Sequence, residues 1–180
     1  SFGAINYTQV DAGKTFEYSI METVRSVAGY TYDNSVYKAF VEVIDNGDST
    51  LRTVVRYVDE QGSLVPMPHF ENEYHATGEV ELRAWKELIG RNCMAGEFSF
   101  ELLDEQGDVI DTKPNDEHAE IYFDPIPFDE SDVGKPRYFA VREVKGNDDT
   151  VIYDSSTYAY AVTATDNGDG TLSVSQQMVR

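Results

Sequence analysis

Apolar and polar residues alternate with a period of two through much of the chain. The alternation is clearest in four short segments, which begin at Val80, Phe98, Phe139 and Tyr158. Because successive side chains of a β-strand point to opposite faces of the sheet, this period predicts strands with one buried face. Turn-forming residues bound each segment, which is typical of an immunoglobulin-like β-sandwich. We therefore expect an all-β fold, with a single helical turn around 129–133.

The sequence repeats itself at a fixed distance. Sliding it by 121 positions aligns residues 1–59 with 122–180 without a gap and gives 18 identities in 59 pairs, where roughly 4 are expected by chance. The chain thus holds one full period of 121 residues and part of another. We place the boundary in a small, polar stretch at 75–78. On this interpretation residues 1–75 form the C-terminal part of one β-sandwich repeat, and residues 76–180 form a second repeat that lacks its last strand.

Two acidic segments, at 45–48 and 166–169, occupy equivalent positions in the repeats. Both have the sequence Asp-Asn-Gly-Asp, and Asn-Gly tolerates the positive φ angles of tight hairpin turns. The alternative is a calcium loop, but neither segment has the ligand spacing or the distal glutamate of an EF-hand. We interpret both segments as hairpin turns.

Alternation assigns four polar side chains to inward faces of strands: Lys86, Glu22, its repeat equivalent Glu143, and Asn72. Buried ionisable groups are costly unless they pair or lose their charge, so these positions require an explanation. The simpler explanation is that they avoid burial. In that case the long stem of Lys86 reaches solvent, and the glutamates cap backbone groups or pair with surface cations.

The other explanation is covalent chemistry. Desolvation lowers the pKa of a lysine and raises that of a glutamic acid, so a neutral amine beside a protonated carboxyl can act as a nucleophile. The amine attacks the side-chain carbonyl of an asparagine, while the acid stabilises the oxyanion and transfers protons as ammonia leaves. The product is an isopeptide bond.

Several motifs resemble the streptococcal pilin isopeptide-linkage domain, a T-antigen-like, Cna-B-type module of Gram-positive surface proteins. The resemblance rests on the segments 76–91, 95–102 and 138–143 and on the pattern Phe-x-Asn-x-Tyr at 70–74, and it spans nearly the whole chain. It implies Cna-B-type β-sandwich repeats. It also implies a location outside the cell, on the surface or in the wall of a Gram-positive bacterium.

The resemblance implies which residues form the bond. Lys86 corresponds to the cross-linked lysine, Asn72 to the cross-linked asparagine, and Glu143 and Glu22 to the assisting acids. The lysine partner of Asn72 would precede Ser1, however, and the asparagine partner of Lys86 would fall at 72 + 121 = 193. We therefore expect both bonds to be completed by repeat portions outside this chain, in a longer array or in a neighbouring molecule. The alternative is a permuted or swapped domain that bonds Lys86 to Asn72, although the short link from 73 to 85 makes this geometrically awkward within one chain.

Charge and composition exclude several other classes of function. With 33 acidic and 14 basic residues the net charge is −19, which excludes a basic nucleic-acid-binding surface. No apolar run approaches the roughly 18 residues of a membrane-spanning helix, so we expect no membrane contact. Cys93 is the single cysteine, and His69, His75 and His118 lack metal-ligand spacing. We therefore expect no cofactor and no metal.

The resemblance implies a structural function, as a stalk or shaft module of a pilus or surface adhesin. Its partners would be neighbouring repeats or pilus subunits. Each isopeptide bond would form once, so we do not expect an enzyme, and a hydrolase with paired carboxylates is disfavoured because the acids lie on separate repeats. The alternative is a ligand-binding adhesin domain for a host glycan or protein, with the outward-facing Trp85 as a contact.

Overall fold

The computed structural model describes residues 3–23 and 25–179. The chain divides into two compact units, Ser1–Glu73 and Tyr74–Arg180. The described residues form antiparallel strands and two single-turn 3₁₀ helices. None of the helices in the described part of the chain has the length and apolar character needed to cross a membrane. The predicted all-β fold is confirmed.

The first unit contains a four-stranded sheet. The strands of this unit are β1 (Thr15–Met21), β2 (Tyr30–Thr31), β3 (Val36–Asp45), β4 (Leu51–Val58) and β5 (Leu64–Val65), and β6 (Glu73–Tyr74) lies at the boundary of the unit. The sheet has the order β1-β3-β4-β5, and β2 is not part of it. Ala39, Val41 and Val43 are buried on one face of β3, as the two-residue period requires.

The second unit contains a five-stranded sheet and two shorter ladders. Its strands are β7 (Thr77–Val80), β8 (Arg83–Trp85), β9 (Ser99–Leu103), β10 (Val109–Pro114), β11 (Glu120–Tyr122), β12 (Ile126–Asp129), β13 (Arg137–Val144), β14 (Thr157–Asp166) and β15 (Leu172–Val179). The sheet has the order β10-β9-β13-β14-β15. The ladders are β11-β8 and β12-β7.

The hydrophobic core of the second unit joins the five-stranded sheet to the two ladders. The inner face of the sheet, formed by alternate residues of its strands, contributes Phe100, Leu102, Phe139, Val141 and Val162. The ladders and their connections contribute Leu82, Ile121, Phe123, Ile126 and Phe128. Packing of two β layers around one apolar core is the architecture of a β-sandwich.

Elements of the two units correspond at the 121-residue offset. β14 and β15 have the bounds of β3 and β4 moved by this distance, and so do the 3₁₀ helices Gln9–Asp11 and Glu130–Asp132. The second helix is the helical turn that the sequence predicted, and the Asp129 side chain caps it by accepting from the Ser131 N–H at 2.8 Å.

The two Asp-Asn-Gly-Asp segments form the turns between β3 and β4 and between β14 and β15. Gly47 and Gly168 adopt φ angles of 78° and 76°, which glycine reaches without steric cost. The carboxylates of Asp45 and Asp166 accept hydrogen bonds from these glycine N–H groups, each at 2.8 Å. The interpretation of both segments as hairpin turns is confirmed.

The strand predicted from Val80 to Ala84 is interrupted. β7 ends at Val80 and pairs with β12, whereas β8 begins at Arg83 and pairs with β11. Between them Leu82 is completely buried, and its carbonyl oxygen accepts from the Phe123 N–H at 3.1 Å. The chain therefore changes partner strand at this point while its apolar residues stay on the inner side.

Gly78 in β7 lies where no side chain fits. A Cβ atom there would be 2.8 Å from the carbonyl oxygen of Leu172 and 2.9 Å from its Cβ. We expect Gly78→Ala to destabilise the second unit by about 1–3 kcal/mol, because β15 must move to relieve the contact. Urea unfolding measures this change. Gly3→Ala, where a Cβ meets nothing within 4 Å, is the control, and equal midpoints for both variants would contradict the close packing.

Candidate functional site

Lys86 and Glu143 form a buried ion pair in the second unit. The Lys86 Nζ donates to the Glu143 Oε2 at 2.9 Å, and the two side chains are only 8% and 2% exposed. Lys86 directly follows β8, where its backbone N–H donates to the Ala119 carbonyl at 2.8 Å, and Glu143 lies near the end of β13. The alternative that Lys86 extends into solvent is therefore wrong.

Further groups surround this pair. The Lys86 Nζ lies 4.7 Å from the centroid of the Phe98 ring, a cation–π distance. The Glu143 Oε2 also accepts from the backbone N–H of Asp154 at 2.7 Å. The other carboxyl oxygen, Oε1, is buried and has no hydrogen-bond partner among the described residues. A buried acceptor without a donor is costly, so this oxygen marks an unused position in the site.

Glu22 and Asn72 form a corresponding contact in the first unit. The Asn72 Nδ2 donates to the Glu22 Oε1 at 2.8 Å, and the Asn72 Oδ1 accepts from the backbone N–H of Asp33 at 2.9 Å. The Glu22 Oε2 is buried and, among the described residues, has no partner. Glu22 itself is half-buried.

Asn72 as a whole residue is exposed, so the prediction that it faces the core is wrong. The reason is that Asn72 precedes β6 and is not part of a ladder. Strand alternation therefore does not determine its burial. Only the amide end of the side chain turns toward Glu22.

The two contacts are complementary halves of one arrangement. The 121-residue offset places Glu22 on Glu143. In the first unit one Glu22 oxygen binds an amide, in the second unit one Glu143 oxygen binds an amine, and in each the other oxygen is buried without a partner among the described residues. If one glutamate bound both partners, an amine and an amide would occupy the two oxygens of its carboxyl group. Both of its oxygens would then be satisfied.

An open groove of about 690 Å³ leads to the ion pair in the second unit. Its lining includes Trp85, Lys86, Glu143, Asp154 and Tyr158. Trp85 is 64% exposed, which confirms its predicted outward orientation. The residues of the ion pair therefore form part of the groove lining.

Sequence reasoning missed Asp33 and its equivalent Asp154 as site residues. The Asp33 carboxylate accepts from the Ser35 N–H at 2.7 Å and from the Glu71 N–H at 2.9 Å. Hydrogen bonds from Ser35 and Glu71 hold the pKa of Asp33 below its usual range. The signal that could have found both residues is the run Tyr-Asp-x-Ser-x-Tyr, which both repeats contain at 32–37 and 153–158.

The described part of the chain contains no group of three or more histidine, cysteine or acidic side chains arranged to hold a metal ion. The two contacts bring together an amine with one carboxyl group and an amide with the other, and backbone N–H groups lie beside both. An amine and a primary amide held on one carboxyl group are the reactants of an amide exchange that releases ammonia.

Comparison with protein families identifies the kind of domain. A family model described as "FctA: Spy0128-like isopeptide containing domain" matches residues 1–75 and 82–179. Comparison with curated proteins and with solved structures gives no match. The matched residues cover nearly the whole chain, and the expected resemblance to pilin isopeptide domains is confirmed. The chain belongs to the family of Spy0128-like isopeptide-containing domains.

Proposed function

We propose that this protein is a stalk or shaft module of a Gram-positive pilus or surface adhesin, stabilised by Lys–Asn isopeptide bonds. Family membership supports a pilin-type module at the cell surface that associates with other pilus subunits. The observation that supports the proposed cross-link is that each unit holds half of the site: Lys86 contacts Glu143 in one, and Asn72 contacts Glu22 in the other. In the complete second repeat, Lys86 is bonded to the asparagine equivalent to Asn72.

The bond forms by replacement of ammonia. A proton passes from the Lys86 ammonium to the Glu143 carboxylate, and the neutral Nζ attacks the Cγ of the asparagine amide. The carboxyl returns a proton to Nδ2, the Cγ–Nδ2 bond breaks, and ammonia leaves. The attacking nitrogen then gives its surplus proton to the carboxylate. Each site performs this reaction once, so the protein is not an enzyme with turnover.

A purely structural ion pair explains the site less well. Two buried charges usually contribute little net stability, because desolvation offsets their attraction. A pair selected for stability would also satisfy both carboxyl oxygens, yet one oxygen of Glu143 and one of Glu22 are buried without a partner among the described residues. These are the positions that an arriving amide and an arriving amine would fill.

The proposed bond also has a mechanical role. It joins the strand segment that enters the repeat to the segment that leaves it. When the protein is pulled at its ends, the covalent link carries the load past the sheets. Their hydrogen bonds need not break, so a stalk of such modules keeps its length under tension.

The bond is tested in a chain extended after Arg180 by a copy of residues 60–75. At the 121-residue offset this copy places an asparagine at position 193, where the second repeat requires it. We expect the intact mass of the purified protein to be lower than the sequence mass by one ammonia. Digestion should release a branched peptide that links Lys86 to the added asparagine.

Controls separate the site from other reactive groups. Lys86→Met and Glu143→Gln in the extended chain should each retain the full sequence mass, because they remove the nucleophile or the proton carrier. Lys113→Met should lose ammonia like the parent, because the Lys113 ammonium pairs with the carboxylates of Asp111 and Asp124 and not with Glu143. A parent protein with the full sequence mass would contradict the proposed function.

Ligand recognition at Trp85 is the second candidate function. Its exposed ring lines the groove, and exposed aromatic side chains are common contacts in binding sites. If the groove recognises a host glycan or protein, Trp85→Ala should abolish binding on a glycan or host-protein array. Binding that survives this substitution would exclude the groove as the adhesin site.

A further inference from the structure

We propose that the backbone N–H of Asp33, and likewise that of Asp154, stabilises the oxyanion in the cross-link reaction, while the glutamate acts on the departing nitrogen. This inference rests on the proposed function and adds a catalytic group to it. It also revises the sequence-based expectation, which assigned the oxyanion to the glutamate.

The contacts of Asn72 separate the two ends of its amide. The carbonyl oxygen Oδ1 accepts from the Asp33 N–H at 2.9 Å, whereas the nitrogen Nδ2 donates to the Glu22 Oε1 at 2.8 Å. Attack of an amine on Cγ moves negative charge onto Oδ1 and leaves Nδ2 in need of a proton. The Asp33 N–H therefore donates a hydrogen bond to the oxygen that becomes negative, and the glutamate contacts the nitrogen that leaves.

Asp33 is held in place by hydrogen bonds of its own side chain. Its carboxylate accepts from the Ser35 N–H and also from the Glu71 N–H, next to Asn72 in sequence. The same residue therefore fixes the donor and anchors the segment that carries the reacting amide. The Tyr37 hydroxyl secures this segment further by donating to the His69 carbonyl at 2.7 Å. A donor fixed before the reaction stabilises an oxyanion without reorganisation.

The second unit has the same loop without the amide. The Asp154 carboxylate accepts from the Ser156 N–H at 2.8 Å, as Asp33 does from Ser35. The Asp154 N–H now donates to the Glu143 Oε2, the oxygen that also binds the Lys86 Nζ. The donor thus lies beside the nucleophile. When the amide binds and Glu143 takes up the proton of Lys86, this N–H is free to move to the amide oxygen.

The proton balance follows from these positions. The amine nitrogen bonds to Cγ, and the C=O electron pair moves onto Oδ1, which the Asp154 N–H stabilises. Glu143 then delivers its proton to Nδ2 and the C–N bond breaks. As the carbonyl re-forms, the carboxylate takes the surplus proton from the new amide nitrogen. Lysine ammonium and asparagine thus become an isopeptide bond, ammonia and a protonated Glu143, which returns its proton to solvent.

The test removes one hydrogen-bond donor and leaves the side chains unchanged. In the extended chain described above, semisynthesis replaces residue 154 by the α-hydroxy analogue of aspartate, so that the N–H becomes an ester oxygen. Refolding starts the reaction, and intact mass follows the loss of ammonia. We expect the rate to fall by about 10²–10³, the effect of deleting one oxyanion donor.

Two controls address loop structure. The same ester at Ser156 removes an N–H that only holds the loop, and it should slow the reaction much less. The same ester at Thr150 removes another loop N–H, which donates to the Asp148 carboxylate at 2.9 Å, and this variant should react within a few-fold of the parent. Rates are compared per folded molecule, which is determined by circular dichroism.

The results distinguish an oxyanion role of the Asp154 N–H from a structural role of the loop. A large effect at 154 with a small effect at 156 supports the inference. Equal effects of both esters show a structural role of the loop and overturn it, as does a normal rate of the 154 ester. If the parent extended chain never loses ammonia, the proposed function fails as well, and this result is distinct from the other two.

Discussion

Glu143→Ala is expected to destabilise the second unit of the 180-residue chain by about 3–5 kcal/mol. The substitution leaves the Lys86 ammonium, 8% exposed in the present structure, without its carboxylate partner. It also removes the acceptor of the Asp154 N–H. Urea unfolding should show a clearly lower midpoint for this unit.

Two variants make this result specific. Glu101→Ala breaks an ion pair with Arg142 whose side chains are 22% and 47% exposed, so it should cost less than about 1 kcal/mol. Lys86→Met combined with Glu143→Leu removes both buried charges and should recover most of the lost stability. If Glu143→Ala and Glu101→Ala had the same midpoint, the pair would not be buried as described.

The cross-link in the extended chain is expected to stabilise the second repeat by about 4–5 kcal/mol. Bonding position 86 to position 193 closes a loop of about 107 residues, and a link of this length lowers the conformational entropy of the unfolded chain by about that amount. The matched variant changes the added asparagine at 193 to alanine. This variant retains Lys86 and Glu143, so the difference in unfolding free energy reports the bond alone.

Force provides a second measurement of the same bond. In single-molecule pulling, the bonded repeat should not lengthen, whereas the alanine variant should unfold and extend. Asn147→Ala changes an exposed asparagine of the same unit and should behave like the parent. Unfolding of the bonded parent at the force that unfolds the alanine variant would contradict the mechanical role.

The two-residue period predicted more than the secondary structure. It placed Lys86 and Glu143 on inward faces, and both side chains are buried. This succeeded because the apolar residues of one strand face share one environment, so a polar residue in their phase enters it too. The Asn-Gly turns were equally predictable, since their backbone conformation depends on residues adjacent in sequence.

Prediction failed where local pattern does not determine position. Asn72 follows the phase of its aromatic neighbours, yet it is exposed because its segment lies outside the ladders. The break between β7 and β8 was also missed, because the choice of β12 or β11 as partner is made by distant residues. The run Tyr-Asp-x-Ser-x-Tyr marks Asp33, but it does not show that the backbone N–H of this residue contacts the Asn72 amide.

The sequence by itself determined that this is a repeated β protein with an amine, an amide and two carboxyl groups in positions typical of isopeptide domains. Only the tertiary structure decided that one oxygen of each glutamate is bonded while the other is buried without a partner among the described residues. It also decided that the Asn72 amide oxygen accepts a hydrogen bond from the backbone N–H of Asp33. The physical reason is that these contacts join residues 39 to 57 positions apart, and their geometry exists only when separate strands are packed together.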